Sequence, residues 1–586
     1  MSHIDMPYAQ GLKLASGVTL HDVLSALEDI DDGEIPQECQ INILPPLNCN
    51  NDLTDEDSGE ENLVSIDNLP GSQLLAEAKL KAINSDSDDE EDNIPLKFLQ
   101  ISSKKYQKNR EWQNVDLTTE TVEWAEMTSA VNNSTPLELF EYFFDKELVD
   151  MFVGYTNIYS AKRNRIGSVS QSEMKSFFGI LLLSGYIPLP RRRMYWENSK
   201  DSHNNLVVNA LSRDKFEFIM SNLHCCDNDL LDKDDRFAKI RPLLNLVNQN
   251  SLKHAPHSEN HSVDESMVPY FGKHGCKQCI LNKPIRFGFK MWLGCSSKGY
   301  VNWIEPYQGA KSVIKSHYKE FGLGPSVVLE YSDVLRKLGP HPYHIFCDNF
   351  FITIPLLEAL SMKNLRCTGT IRENRLCGCP LTEKKAMKKK ERGYFEYMSS
   401  DNKIIVTKWN DNNVICIASN CDSTHPVQMI SRFSKIHNKK VAVTQPQIIK
   451  NYNQYMGGVD RCDQNISLYR TNIRGKKWYF TIICYCLDII VQNAWQLHRL
   501  QNGKLDQLTF RRRIVLALLE SNTESRKRGR PSSLENVDSR FDRIDHLVSS
   551  QEKQTRCRVC HKKVKTKCVK CDVALHIDCF ISYHKQ

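Results

Sequence analysis

The sequence predicts an α/β protein with a helical domain ahead of its sheet and a metal-holding module at its C-terminus. Three observations predict this. Short strand-like runs alternate with helix-like runs from about Ser262 to Lys363, and the alternation resumes near Gln445. Apolar residues recur at helical spacing from Pro136 onward. Cysteine and histidine pairs crowd the C-terminal end between Cys557 and His584.

A chain of 586 residues implies several domains. Hydrophobic residues make up 40% and charged residues 25%, so most of the chain is expected to be globular. The net charge of +6 hides an asymmetry: acids crowd the first hundred positions and basic runs lie further on. That is the pattern of an acidic tail on a body able to meet polyanions. No N-terminal stretch resembles a signal peptide, and no run is expected to span a membrane. The 21 cysteines are then expected in a reducing compartment, as metal ligands or free thiols and not as disulfides.

Residues 1–128 are expected to be a disordered acidic tail. Asp55–Glu61 and Ser85–Asp92 have little to bury. Ser85 and Ser87 precede acids and suit an acid-directed kinase, unless the runs only solvate the tail. Residues 129–258 read as a helical domain. Leu137, Leu139, Phe140, Phe143, Phe144, Leu148, Met151 and Phe152 share a helical period. Met174 to Leu183 repeats the pattern until Gly185 and Pro188 end it, and Asp214–Leu223 and Phe237–Asn248 follow. Arg191-Arg192-Arg193 beside Tyr195 and Trp196 suits either phosphate contact or a solvated turn.

Residues 259–364 carry the first part of the α/β core. Ser262–Val268 is a strand with Asp264 in its middle. Arg286–Gly294 and Tyr300–Ile304 are strands joined by a Ser-Ser-Lys-Gly turn. A helix over Ser326–Leu338 leads to a buried strand, Tyr343–Cys347, which ends in Asp348, and a helix over Pro355–Lys363 follows. An acid at the carboxyl end of a sheet strand stands where sites form. Residues 365–444 read as a β-rich insertion, with strands near Gly393–Met398, Ile404–Trp409 and Val414–Ser419 and a charged run, Lys384–Arg392. Residues 445–521 return to the core and end in helices over Lys477–Arg499 and from Arg511 to Glu520. Residues 522–549 form a basic linker. Its Arg528-Gly529-Arg530-Pro531 looks like an AT-hook core, suited to a narrow A·T minor groove, and suits a nuclear import signal equally.

Two constellations carry chemistry. The zinc-type one fills residues 550–586: Cys557/Cys560, Cys568/Cys571 and His576/Cys579 each have zinc-ligand spacing, and His584 follows. The pattern resembles cross-brace fingers. In that arrangement Cys557, Cys560, His576 and Cys579 share one Zn²⁺, while Cys568, Cys571 and His584 hold a second with an eighth ligand, for which His561 is the candidate. Such a tail folds on its metal and serves DNA binding, protein binding or folding alone. The acidic constellation centres on Tyr452–Gln464. Gly457 and Gly458 set a helix start at Val459, so Asp460 and Asp463, three apart, share a face. By itself this is equally a surface helix with an acidic cap. Together with Asp264 and Asp348 it is the set that an RNase H-like sheet gathers for two-metal phosphoryl transfer.

These stretches, with Phe346–Phe351, Arg474-Gly475-Lys476-Lys477-Trp478-Tyr479 and the cysteine module, resemble the piggyBac transposase family over about residues 136–586. The resemblance implies an RNase H-like catalytic core with Asp264, Asp348, Asp460 and Asp463 as its acids. The first three are its metal ligands, for Mg²⁺ or Mn²⁺. It implies cut-and-paste chemistry on double-stranded DNA, at transposon ends and TTAA targets, by a nuclear homodimer whose helical domain serves dimerisation and DNA binding. It also implies that Arg372 and Arg375 approach DNA and that Trp478 stacks near the target. On the residues alone, Arg372 is equally a surface charge and Trp478 a core aromatic. The alternatives are a domesticated DNA- or chromatin-binding protein without catalysis and a protein-interaction factor built on its zinc module.

Overall fold

The computed structural model describes residues 39–43, 78–82, 110–118, 124, 134–165, 167–199, 201–280, 285–309, 316–434, 438–521 and 544–585. The acidic runs at 55–61 and 85–92, with Ser85 and Ser87, lie outside these residues, as do Arg528 and Arg530. The chain divides into two compact units, residues 1–190 with 210–522 and residues 191–209 with 523–586.

Strands β1 (Cys39–Ile43) and β2 (Ala78–Ala82) pair antiparallel, and β3 (Trp112–Gln113) is an edge strand of the central sheet. Arg110 forks Glu358 through hydrogen bonds of 2.9 and 3.0 Å. Asp116 accepts from the Thr424 backbone N–H and hydroxyl at 3.0 and 2.6 Å. The disordered tail expected to residue 128 is therefore corrected: residues 110–118 belong to the body. Charged and polar contacts hold them there, and these leave no apolar period in the sequence.

Helices α1 (Pro136–Glu141), α2 (Lys146–Lys162), α3 (Gln171–Ser184), α4 (Asn205–Ala210), α5 (Arg213–Asn222) and α6 (Arg241–Lys253) follow. Their starts are encoded locally. Thr135 with Glu138 and Ser170 with Glu173 form capping boxes, and Asp145 caps α2. The cluster Arg192–Trp196 forms a short 3₁₀ turn over the buried Tyr195.

The sheet is then built in order: β4 (Asn260–Pro269), β5 (Gln278–Cys279), β6 (Phe287–Ser296), β7 (Val301–Pro306), α7 (Leu323–Arg336), β8 (His344–Cys347), α8 (Ile354–Met362), β9 (Arg366–Thr370), α9 (Lys384–Met387), β10 (Phe395–Ser400), β11 (Ile405–Asn410) and β12 (Val414–Ser419). A ribbon of β13 (Gln428–Ser434) and β14 (Lys439–Gln445) precedes α10 (Gln447–Tyr455), α11 (Gly458–Leu468), α12 (Trp478–Leu500) and α13 (Gln507–Glu520). The ten-stranded order is β3-β10-β11-β12-β9-β8-β4-β6-β5, with β7 also on β6. Among the described residues, only the β4–β8 and β8–β9 ladders are parallel.

Two expected boundaries change. The residue 365–444 insertion is not a separate domain: β9 is parallel to β8, and β10, β11 and β12 extend the same sheet. Local β patterning cannot show which strand a strand will pair with. The helical domain is likewise not closed at residue 258, because α12 packs on α1, and α13 on α1 and α3. A third expectation also changes. Helix α12 is long and apolar enough to cross a bilayer, but 83% of its most apolar window is buried in the protein. A helix enclosed on all sides is apolar all round.

Candidate active site and metal centres

Strand parity sets the site. On β4, Val263 points into the apolar layer formed with α7 and α8, together with Ile345 and Cys347 of β8. Ser262, Asp264 and Ser266 therefore face the opposite side. Phe346 does too, and it packs on Tyr455 of α10 with ring centroids 5.4 Å apart. The parallel register pairs Val263 with Cys347, so Asp264 on β4 stands beside the end of β8, where Asp348 follows.

Helix α11 is clamped onto this face at two points. A Cβ at Gly458 would collide with Ser262 Oγ and the Ser296 carbonyl, so glycine lets the helix start touch the sheet. Further along, Ser266 Oγ donates to Asp463 Oδ1 at 2.6 Å, and Tyr485 of α12 donates to Ser266 Oγ at 2.8 Å. Asp264 lies between Ser262 and Ser266, and Asp460 lies between Gly458 and Asp463. The clamps thus draw Asp264 and the first turn of α11 together.

The carboxylates are oriented by their own backbones. Asp264 Oδ1 accepts from Glu265 N at 2.8 Å, and Asp348 Oδ1 accepts from Phe350 N at 2.9 Å. Asp264, Asp348 and Asp463 are half-buried and Asp460 is exposed. Burial pushes the Tyr452 hydroxyl up strongly, a hydrogen bond with Thr370 opposes this, and the charges of Asp348 and Asp264 add to it. The sequence reading quoted Tyr452 without a role and missed Ser266 and Tyr485. The spacing of Ser266, two residues past Asp264 on one strand face, was the signal for it.

The residues expected to approach DNA have protein partners in this structure. Trp478 is 1% exposed and packs among Phe237, His274 and Phe289, with its centroid 4.3 Å from that of His274. It is a core aromatic, since the apolar start of α12 must be buried. Arg375 Nη1 donates to the carbonyls of Asn349 (2.9 Å), Phe350 (2.9 Å) and Ile352 (3.3 Å). Arg372 Nε donates to Asn349 Oδ1 at 3.2 Å. Both arginines grip the turn that presents Asp348. Thr368, on β9 four residues before Arg372, is buried in a polar network with Asp422 and Ser419.

Among the described residues, three sets of His, Cys or acidic side chains bring their ligand atoms within 4.8 Å of one another, and Asp264, Asp348 and Asp460 are not one of them. Like charges resist close approach. One set is His344, Cys421 and Asp422. Its groups are already hydrogen-bonded, His344 to Thr368 Oγ1 at 2.9 Å and Asp422 Oδ1 to Asn451 at 2.8 Å, and it reads as a satisfied core network.

The other two sets lie in the C-terminal module of β15 (Val548–Arg556), β16 (Lys563–Cys568), β17 (Val573–Ala574) and α14 (Ile577–His584). Cys557, Cys560, His576 and Cys579 form one, and His546, Cys568, Cys571 and His584 form the second. The cross-brace expected from sequence is thus present, and its eighth member is corrected from His561 to His546. His561 is exposed at φ 57°, the left-handed position that closes the Cys557–Cys560 turn. His546 stands in the stretch read as linker, outside any paired motif, and only folding brings it to Cys568.

The donor spacing fits a tetrahedral metal, whose N···S edges are roughly 3.5 Å for zinc bond lengths. Cys560 Sγ lies 3.3 Å from His576 Nδ1, and Cys571 Sγ lies 3.5 Å from both His546 Nδ1 and His584 Nε2. The opposite ring nitrogens are engaged as metal-bound histidines require: His584 Nδ1 with Phe580 O at 2.8 Å, and His576 Nε2 with Lys563 O at 3.3 Å. Burial opposes ionisation of Cys557, but the backbone N–H groups of Cys560, His576 and Val559 outweigh it and bring the thiol down to about 6.

A transposase family model, described as Transposase IS4, matches residues 135–495. The chain is 42% identical to human (Homo sapiens) PiggyBac transposable element-derived protein 3, over 97% of this chain and 99% of that one. It is also 42% identical to human PiggyBac transposable element-derived protein 2, over 96% of each. It matches the human chimeric ERCC6-PGBD3 protein at 42% identity over 98% of this chain, and spans 56% of that protein's length. A cryo-EM structure of a piggyBac transposase synaptic complex with hairpin DNA is similar in fold. Its TM-score is 0.57 at 21% identity, over 76% of this chain and 96% of that one.

Proposed function

Given that this chain belongs to the piggyBac transposable element-derived family of transposases, we propose that it cleaves and joins DNA strands at TTAA sites, in the nucleus and as a homodimer. The observation that carries the proposal is the pairing of Val263 with Cys347, each one residue before an aspartate, on a strand face to which Gly458 and Asp463 fasten α11, the helix that bears Asp460. The strand order β7-β6-β4-β8-β9, with only the last three parallel, supports an RNase H-like core.

Three carboxylates suit a hard divalent ion by donor type. Mg²⁺ or Mn²⁺ held by Asp264, Asp348 and Asp460 supplies charge neutralisation and an activated oxygen nucleophile. The chain's own part is positioning. The Arg375 grip fixes the Asp348 turn, Ser266 and Tyr485 hold Asp463, and Gly458 seats α11. The test is purified full chain with Mg²⁺ and a DNA end bearing TTAA. Strand breaks at TTAA are expected; salt-sensitive binding without cleavage by either metal would favour the domesticated binder.

Arg375→Ala should separate positioning from DNA contact. Cleavage is expected to fall roughly 10–100-fold, the scale of lost support around a metal ligand. The salt dependence of DNA binding should stay unchanged, because no phosphate contact is lost. A shallower salt slope with full cleavage would instead assign Arg375 to the DNA backbone.

We assign Zn²⁺ to both C-terminal sets. Full chain should hold two equivalents. His546→Ala should release one to a chelator, whereas His561→Ala should release none. Metal loss from His561→Ala and retention by His546→Ala would reverse the assignment.

A further inference from the structure

Beside the aspartates lies a cavity of about 230 Å³ with no part in the account so far. Its walls come from the turn after β4, from the segment Arg470–Gly475 between α11 and α12, and from the first turns of α12. It is smaller than the roughly 300–1,000 Å³ that encloses a drug-sized ligand, and suits a single ring system.

Three features define its chemistry. Arg470 Nε is buried without a hydrogen-bond partner. Arg470 as a whole is half-buried and lines the cavity, so an anionic oxygen held there offsets its charge. Phe271 is half-buried and Phe480 is 4% exposed, and both line the cavity. A side chain at Gly475 would strike the Phe480 ring, so glycine keeps that wall in place. Finally, Tyr485 lines the cavity and donates to Ser266 Oγ, which donates to Asp463. Two hydrogen bonds therefore separate the cavity wall from the acidic site.

A guanidinium beside apolar rings is the chemistry that binds a nucleotide: donors for its phosphate and aromatic faces for its base. We propose that this cavity takes one extrahelical nucleotide of the DNA on which the aspartates act, with its phosphate on Arg470 and its base against Phe271 and Phe480. The inference rests on the transposase reading. Drawing a base from the duplex costs its pairing and stacking, and stacking on aromatic side chains returns much of that cost. The charge-assisted contact with Arg470 supplies the rest.

The test uses full chain and a TTAA duplex carrying 2-aminopurine at one position at a time. Anisotropy reports binding and 2-aminopurine fluorescence reports unstacking. The unmodified protein should change the fluorescence more than twofold at one position near TTAA. Arg470→Gln should abolish that change, weaken binding less than tenfold and lower the salt slope by about one. Arg470→Lys, which keeps the charge, should keep the slope and lose part of the change. Complex formation with no change at any position would overturn the inference and leave the transposase reading standing. So would a change that survives in Arg470→Gln. Absence of any complex would overturn the transposase reading, and the nucleotide site with it.

Discussion

Replacement of Asp348 or Asp264 by Asn should abolish cleavage at TTAA, a loss of at least about 10³-fold, the scale on which central catalytic groups are felt. Asp264 on β4 and Asp348, one residue past the end of β8, each follow a residue of the parallel pair Val263–Cys347. Asn keeps their size and the backbone hydrogen bonds at Glu265 and Phe350 remain available to its amide oxygen. Fold and DNA affinity should therefore survive, with affinity within about threefold and, if anything, tighter, since a negative charge near phosphates is gone. Asp460→Asn should behave the same way. Asp463→Asn should lower cleavage without abolishing it, because Asp463 is held by Ser266 and acts on the arrangement of α11. Cleavage by purified Asp264→Asn or Asp348→Asn protein at the unmodified rate would remove these acids from the site.

The largest effect on stability is expected at Arg511. Its guanidinium is 2% exposed, donates to Asp488 Oδ1 at 2.8 Å and to the Leu182 carbonyl at 3.1 Å, and so ties α13 to α12 and α3. Asp488, 1% exposed, also accepts from the Thr471 backbone at 3.2 Å. Arg511→Met removes one charge and leaves the other buried. Breaking such a pair costs about 3–5 kcal/mol, so the thermal transition should drop by roughly 5 °C or more. The double variant Arg511→Met/Asp488→Asn should recover part of the loss, since no uncompensated charge remains. A drop in the single variant of under about 1 °C would show that water reaches Asp488 and that the pair is not what joins these helices.

The strands of the core, the helical periods and the cysteine pairs were legible in the sequence because each is encoded within a few residues, and the helix caps, though not read, are equally local. Thr135-x-x-Glu138 and Ser170-x-x-Glu173 specify their own caps. The alternation in Ser262–Val268 specifies a strand, and Cys-x-x-Cys specifies a metal turn. Each of the four aspartates stands within its own local motif, and their joint role is the proposal made above.

Tertiary structure alone decided what distant residues do to one another. It joined β10, β11 and β12 to the central sheet, because strand pairing depends on partners far away in sequence. It brought His546 to Cys568 and left His561 in a turn, because a lone histidine carries no spacing signal. It buried Trp478 and turned Arg372 and Arg375 onto the Asp348 loop. An aromatic or a guanidinium satisfies a core or a loop carbonyl as readily as a nucleic acid, and only the neighbours that folding supplies decide between them.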